Sequence, residues 1–285
     1  MKIQFLGSGL WTRGMTSVGD LANLLHDPSH NLDAAFAAPK PESIPAKERR
    51  RAGLMINLAV EVAHQACEQA QLNKALVPSV FTSAMGDTAI TDYMCRKLSG
   101  TEKLLSPTKF HNSVHNAPSG YWTISAQNRA PSSFVGGFEQ SFGAALLEAS
   151  SQACANATPV LLVASDIATG VPFEDILPVS ETLGIALVVA PVALDLGPFQ
   201  TAANVEVQAT APVFELRYNT GNGIRARSSQ PLHPELVSRA EANPMGCALG
   251  LLERLQTSGA ARSNLSFAAA PGALLELSVV GAKQT

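Results

Sequence analysis

Two continuous apolar runs, Val160-Leu-Leu-Val-Ala164 and Ile185-Ala-Leu-Val-Val189, constrain this chain most. Each has the length of a strand, and neither alternates apolar with polar residues as a strand with one wet face would. Strands of that kind must be covered on both faces. They lie within Thr158–Ser165 and Leu183–Pro191, and helical patterns precede them. From Arg51 to Leu72, a stripe of Leu54, Leu58, Val62 and Ala66 has Met55, Ala59 and Cys67 beside it, the mark of a buried helix. Ser141 to Ala155 is rich in Ala and Leu. Strands alternating with helices predict an α/β layered core.

Further strands are expected at Met1–Gly7, Ser79–Ser83 and Ser132–Gly137, and helices at Thr88–Leu98 and within Leu105–Ser125. The segment from Trp11 to Pro45 contains Pro28, Pro39, Pro41 and Pro45, and reads as an irregular surface excursion. Beyond Asp195 the pattern shifts. Asn204–Gln208 and Val213–Arg217 alternate at period two, as half-exposed strands do, and Asn219–Ser229 is a Gly/Asn/Ser-rich loop. Asn243-Pro244 opens a helix that ends near Gly259, and Leu265–Phe267 and Leu274–Val279 flank Pro271-Gly272 as a closing hairpin.

A chain of 285 residues accommodates one large domain or two fused halves. With 46% apolar and 15% charged residues it is short of surface charge, which leaves either a covering partner or an unusually large core. The net charge of −3 offers no basic footprint for nucleic acid, and Lys47-Glu-Arg-Arg-Arg51 is a short solvated helix start. No apolar run reaches about 18 residues, so no membrane span is expected. The start leads from an apolar strand straight into turn residues, unlike a signal peptide. Cys67, Cys95, Cys154 and Cys247 are scattered, so a reduced, cytoplasmic protein is expected, with packed thiols and no structural metal.

The turn Phe138-Glu-Gln-Ser141, between a strand and a helix, is where free N–H groups and positive potential would favour a nucleophile. It offers a carboxylate, an amide and a hydroxyl. Around Ser141 the sequence lacks the preceding glycine of a Gly-x-Ser-x-Gly elbow, because Glu139 stands there. His111, His115 and His233 are the bases a hydrolase could draw on. The spacing of His111 and His115 would put both on one helix face, as metal ligands or as polar packing near the turn. His64, on the buried helix, reads as a packed histidine. Gly221-Asn-Gly223 lacks the rest of a dinucleotide fingerprint, and no cofactor is expected.

Several segments together carry a family resemblance. Ile44–Arg51, Val80–Asp87, Leu105–Phe110, Ser113-Val-His-Asn-Ala-Pro-Ser-Gly120, Ala130-Pro131 and Ser141-Phe-Gly-Ala-Ala-Leu-Leu-Glu-Ala149 resemble the N-terminal half of β-ketoacyl synthases. More closely, they resemble the short, chain-length-factor-type subunits of type II polyketide systems that make aryl polyene or xanthomonadin-type pigments. The resemblance runs to about Pro191 and implies a thiolase-like αβαβα fold, with residues 1–191 as the ketosynthase-like half and 192–285 as a shortened C-terminal half.

In active members a turn cysteine accepts the acyl chain, and counting from Ala130-Pro131 puts Glu139 at that position, or Gln140 after a one-residue gap. Neither side chain can carry a thioester. The His-Gly-Thr-Gly and later histidine-containing motifs are also missing, and Leu232-His233-Pro234 matches neither. The resemblance therefore implies no catalysis by the chain alone, with Ser141 and His115 as neighbours of a degenerate nucleophile position. It implies a heterodimer with a catalytic ketosynthase, reached by acyl carrier protein through the complex. Phe134, Val135, Phe138, Phe142, Tyr121 and Trp122 would form the interface or tunnel, with ordinary core packing as their alternative role. A malonyl-decarboxylating or initiating enzyme and a purely structural partner are the other readings.

Overall fold

A computed structural model describes residues 1–27, 32, 34–101, 103–201, 211–221, 227–257 and 264–280. The strand expected at Asn204–Gln208, Pro28 and most of the Gly221–Gly223 loop lie outside these residues. The elements run β1 (Lys2–Thr12), α1 (Val18–His26), α2 (Ala46–Arg49), α3 (Leu54–Gln69), β2 (Ser79–Thr82), α4 (Thr88–Ser99), α5 (Pro107–Asn112), α6 (Ala117–Ser125) and β3 (Ser132–Val135). They continue as α7 (Ser141–Asn156), β4 (Val160–Asp166), β5 (Leu183–Pro191), β6 (Phe214–Thr220), α8 (Pro234–Glu241), α9 (Leu249–Gln256), β7 (Leu265–Ala270) and β8 (Ala273–Val279).

Among the described residues, eight strands form one sheet in the order β3-β2-β4-β5-β1-β6-β8-β7. β2 is parallel to β3 and β4, and every other pairing is antiparallel. The apolar runs of β4 and β5 are buried on both faces, because helices cover one side and α7 the other. One core holds Leu6, Phe81, Leu161 and Val188 against α3 and α6. The other packs Val160, Leu162 and Leu187 against α7, with α1, α9 and the inner face of β6-β8-β7 beyond it. β1 meets β6 over a short stretch, where Lys2 pairs with Glu215, Ile3 with Phe214, and Met1 exchanges hydrogen bonds with Leu216, so five strands and three strands meet at a narrow seam, with α7 between them.

Close approach governs the packing of α7. A Cβ on Gly143 would lie 2.2 Å from the carbonyl oxygen of Ala268 in β7, a separation only glycine permits. On the outer face of the three strands, Asn219 Nδ2 donates to Glu276 Oε2 at 2.9 Å and Arg217 pairs with Glu215 at 3.0 Å. Among the described residues no helix packs on that polar face.

Two helices stand where the sequence reading had none. α1 interrupts the expected excursion because Ser17 caps it, its Oγ accepting from Asp20 N at 3.2 Å, while Val18, Leu21 and Leu24 enter the core. α8 begins at Pro234, capped by His233 Nδ1, which accepts from Glu235 N at 3.3 Å. The helix expected from Asn243 starts as a 3-10 turn, Pro244–Ala248, before α9 continues it.

Candidate functional site

β3 ends at Val135, Gly136 and Gly137 follow, and a single 3-10 turn, Phe138–Gln140, leads into α7. Phe138 has φ +54°, in the left-handed region. Glu139 is exposed and Gln140 half-buried. Ser141, in contrast, is wholly buried, and its hydroxyl is committed. It accepts from Gly137 N at 2.9 Å and donates to the Ser83 carbonyl at 3.2 Å. A serine tied in this way secures the turn and is not presented as a nucleophile.

The tie continues inward. Ser83 Oγ and Ala84 N both donate to the Asp166 carboxylate, which terminates β4 and is 3% exposed. Burial pushes the Asp166 carboxyl up to about 6, opposed by the donors from Ser83, Ala84 and Met85, which favour the charged form. From the C-terminal half, Asn243 Nδ2 donates to the carbonyls of Glu181 at 2.8 Å and Asp166 at 3.3 Å, while its Oδ1 accepts from Met245 N. Asp166 and Asn243 escaped sequence reasoning. The signal available for Asp166 was an acid closing a strand otherwise buried on both faces.

His115 packs beside this loop. A Cβ on Gly86, whose φ is +70°, would lie 3.1 Å from His115 Nε2, and the His115 ring meets Phe134 of β3 edge to face at 5.4 Å. α5 ends at Asn112, so His111 and His115 do not share a helix face; His111 faces Tyr121 at 6.3 Å. Among the described residues no group of three or more His, Cys, Asp or Glu is placed to hold a metal ion.

Glu139 lines a cavity of about 430 Å³ together with Arg227, Ser228, Gln230, Glu241 and Cys247. Cys247 brings a thiol to this cavity from the 3-10 turn before α9. Burial pushes it up to about 12, so it is a poor thiolate.

The aromatic residues divide. Phe142 is 1% exposed and meets Phe267 of β7 edge to face at 5.2 Å. Trp122 is fully buried against His64, whose imidazole burial, and then the Lys74 charge, push down to about 4. Tyr121 donates to Asn112 Oδ1 at 3.3 Å and lines a cleft of about 820 Å³ between α2, α5 and α6. Phe110, Val114 and Ile124 are more than half exposed on its rim. Phe134 and Val135 are half-buried on β3, the terminal strand of the sheet, and Phe138 is 42% exposed.

A mixed sheet with helices layered around α7, and a buttressed strand–turn–helix at its edge, define a thiolase-like ketosynthase fold. The family model described as β-ketoacyl synthase, N-terminal domain, matches residues 26–252, and the chain belongs to this family. Its fold is similar to a structure of the ketosynthase ApeO in complex with its chain length factor ApeC from Xenorhabdus doucetiae, with TM-score 0.66 and 17% identity over 98% of this chain and 99% of that one. It is similar to the ishigamide ketosynthase/chain length factor, with TM-score 0.65 and 11% identity over 99% and 100% of the chains. A β-ketoacyl synthase from Burkholderia phymatum matches with TM-score 0.55 and 14% identity over 86% of this chain and 70% of the other. No curated protein sequence matches the chain. No helix among the described residues is long and apolar enough to cross a membrane.

Proposed function

We propose that this chain is a chain-length-factor-like subunit that pairs, in the cytoplasm, with a catalytic β-ketoacyl synthase of a type II polyketide system making aryl polyenes, and forms part of the wall around the growing acyl chain. The observation that carries this is the turn itself: its buried supports are intact, while the apex offers Phe138, Glu139 and Gln140 and no thiol. A carboxylate or amide cannot hold an acyl chain as an exchangeable thioester, so transfer must occur on a partner's cysteine. Two further features support pairing. The outer edge of β3 has no strand beside it among the described residues, and an edge of this kind pairs readily with a second chain. Nearby, the cleft beneath Phe110, Val114 and Ile124 leaves apolar surface that a partner or an acyl chain would cover. The reading takes residues 1–191 as the ketosynthase-like half and 192–285 as its shortened complement.

One observation favours a second reading, a malonyl-decarboxylating or initiating subunit: Arg227 lines the Glu139 cavity, where a guanidinium could hold a malonyl carboxylate. Incubation with malonyl-loaded acyl carrier protein separates the two. On the first reading, the chain alone leaves the malonyl group intact and elongation appears only when the ketosynthase from the same gene neighbourhood is added. Acetyl-carrier product formed by the chain alone would establish the second.

A further inference from the structure

Beside its apolar stripe, α3 carries a polar face. Glu61, His64, Gln65 and Glu68 follow one another at helical spacing, so they share one side of the helix. Residues 37–43 pass over this side as a strap without filling it, and a cavity of about 740 Å³ remains, walled by Trp11 and Pro41. The strap is tied down at two points: Trp11 Nε1 donates to the Ala37 carbonyl at 2.8 Å, and Arg49 Nη1 donates to the Pro41 carbonyl at 2.9 Å. This cavity shares no lining residue with the elbow or with the cleft beside α5 and α6.

Two sets of groups in its walls lack partners. Glu61 and Glu68 from α3 and Glu42 from the strap are carboxylates, and none of them forms an ion pair among the described residues. Burial pushes the Glu61 carboxyl up, against a hydrogen bond from Gln65, and the charges of Glu68 and Glu42 push it the same way. Lys40 also lines the cavity, but it is exposed and pairs with none of the three. These carboxylates call for a cation. The second set calls for an acceptor. Lys74 Nζ lies 3.1 Å from His64 Nδ1, and because an ammonium can only donate, the imidazole proton sits on Nε2. His64 lines the cavity and is 8% exposed, yet its Nε2 has no hydrogen-bond partner among the described residues, and neither has the buried Ser43 Oγ in the strap. Buried donors of this kind are ordinarily satisfied.

We propose that the cavity under the strap binds a small zwitterion, an apolar α-amino acid, with its ammonium among Glu61, Glu68 and Glu42, its carboxylate toward Lys74, His64 and Ser43, and its side chain against Trp11 and Pro41. A ligand with one charge would meet one set of groups and leave the other as it stands. An ammonium and a carboxylate on one carbon meet both, and the indole ring offers the ammonium and the side chain an aromatic face. The site goes beyond the pairing reading and does not depend on it.

The test titrates the full chain calorimetrically with L-phenylalanine and L-leucine, and with phenethylamine and 3-phenylpropanoate as ligands that each carry one of the two charges. The amino acids bind and raise the melting temperature, and each single-charge ligand binds about tenfold more weakly or worse, because one set of groups goes unmet. Glu61→Gln, which keeps the shape of the side chain and removes its charge, and Lys74→Met each weaken amino-acid binding by a similar factor, and Glu61→Gln melts close to the unaltered chain when no ligand is present. If Lys74→Met does not fold, Glu61→Gln decides. Failure of both amino acids to bind, a single-charge ligand that binds as tightly as phenylalanine, or binding undiminished in Glu61→Gln would each overturn the proposal.

Discussion

Asp166 and His64 are buried ionisable groups whose effects on stability oppose each other. Asp166, lifted by burial from near 3.8 to about 6, binds a proton in the folded chain that it would lose in the unfolded one between those values. Its contribution to stability is therefore greatest at low pH and falls as pH rises through about 6, by about 3 kcal/mol in all. His64, depressed from 6.5 to about 4, binds fewer protons when folded, so its contribution is present above 6.5 and is lost as pH falls toward 4. Between about 4 and 6 the two slopes cancel in part. Denaturant titrations across this range should show Asp166→Asn gaining stability relative to the unaltered chain as pH rises, and His64→Phe losing it. Parallel curves for all three proteins would show that neither group is displaced as described. His64 was legible in the sequence as a packed histidine on a buried helix, because its neighbours repeat at helical spacing. The Asp166 network was not, because Ser83, Asp166, Ser141 and Asn243 lie far apart in sequence and no local pattern links them.

At the scale of elements, α7 has the tightest fit. It lies between the five-stranded part of the sheet and β7, and Gly143 sits against the Ala268 carbonyl. Gly143→Ala forces backbone against backbone, and overpacking of this kind costs about 3 kcal/mol. Thermal or urea unfolding of that variant should show the loss, whereas Gly136→Ala, where an added Cβ meets nothing within 4 Å, should change little. The strands and long helices of the first 191 residues were readable because period and apolar runs mark them directly: β4, β5 and α7 fall within a residue or two of their expected limits. α1 and α8 were hidden by their surroundings. Prolines beyond its end drew the segment around α1 toward an irregular reading although Ser17 and Asp20 form a cap, and α8 begins at a proline preceded by an unusual cap, His233.

For the whole molecule, the two parts have different degrees of completeness. Five strands are flanked by helices on both sides, while β6-β8-β7 shows a polar face that no helix among the described residues covers. In this chain the strand–turn–helix at Phe138–Ser141 has no cysteine at its apex and the outer edge of β3 is unpaired among the described residues, and on the proposed reading both features serve a partner subunit's site. Its apolar cleft follows the same logic: Ile124, 66% exposed on the rim, should become protected from solvent only in the pair, so Ile124→Asp should weaken pairing roughly tenfold or more while leaving the melting temperature of the isolated chain nearly unchanged, as an exposed substitution does. A pair as tight as the original would exclude this cleft from the interface. The central claim is tested most directly by co-expressing the chain with the ketosynthase of its own gene neighbourhood and measuring the mass of the purified species by light scattering. A one-to-one complex that survives dilution is predicted; a chain that elutes alone, as monomer or homodimer, with the synthase in a separate peak, would contradict it.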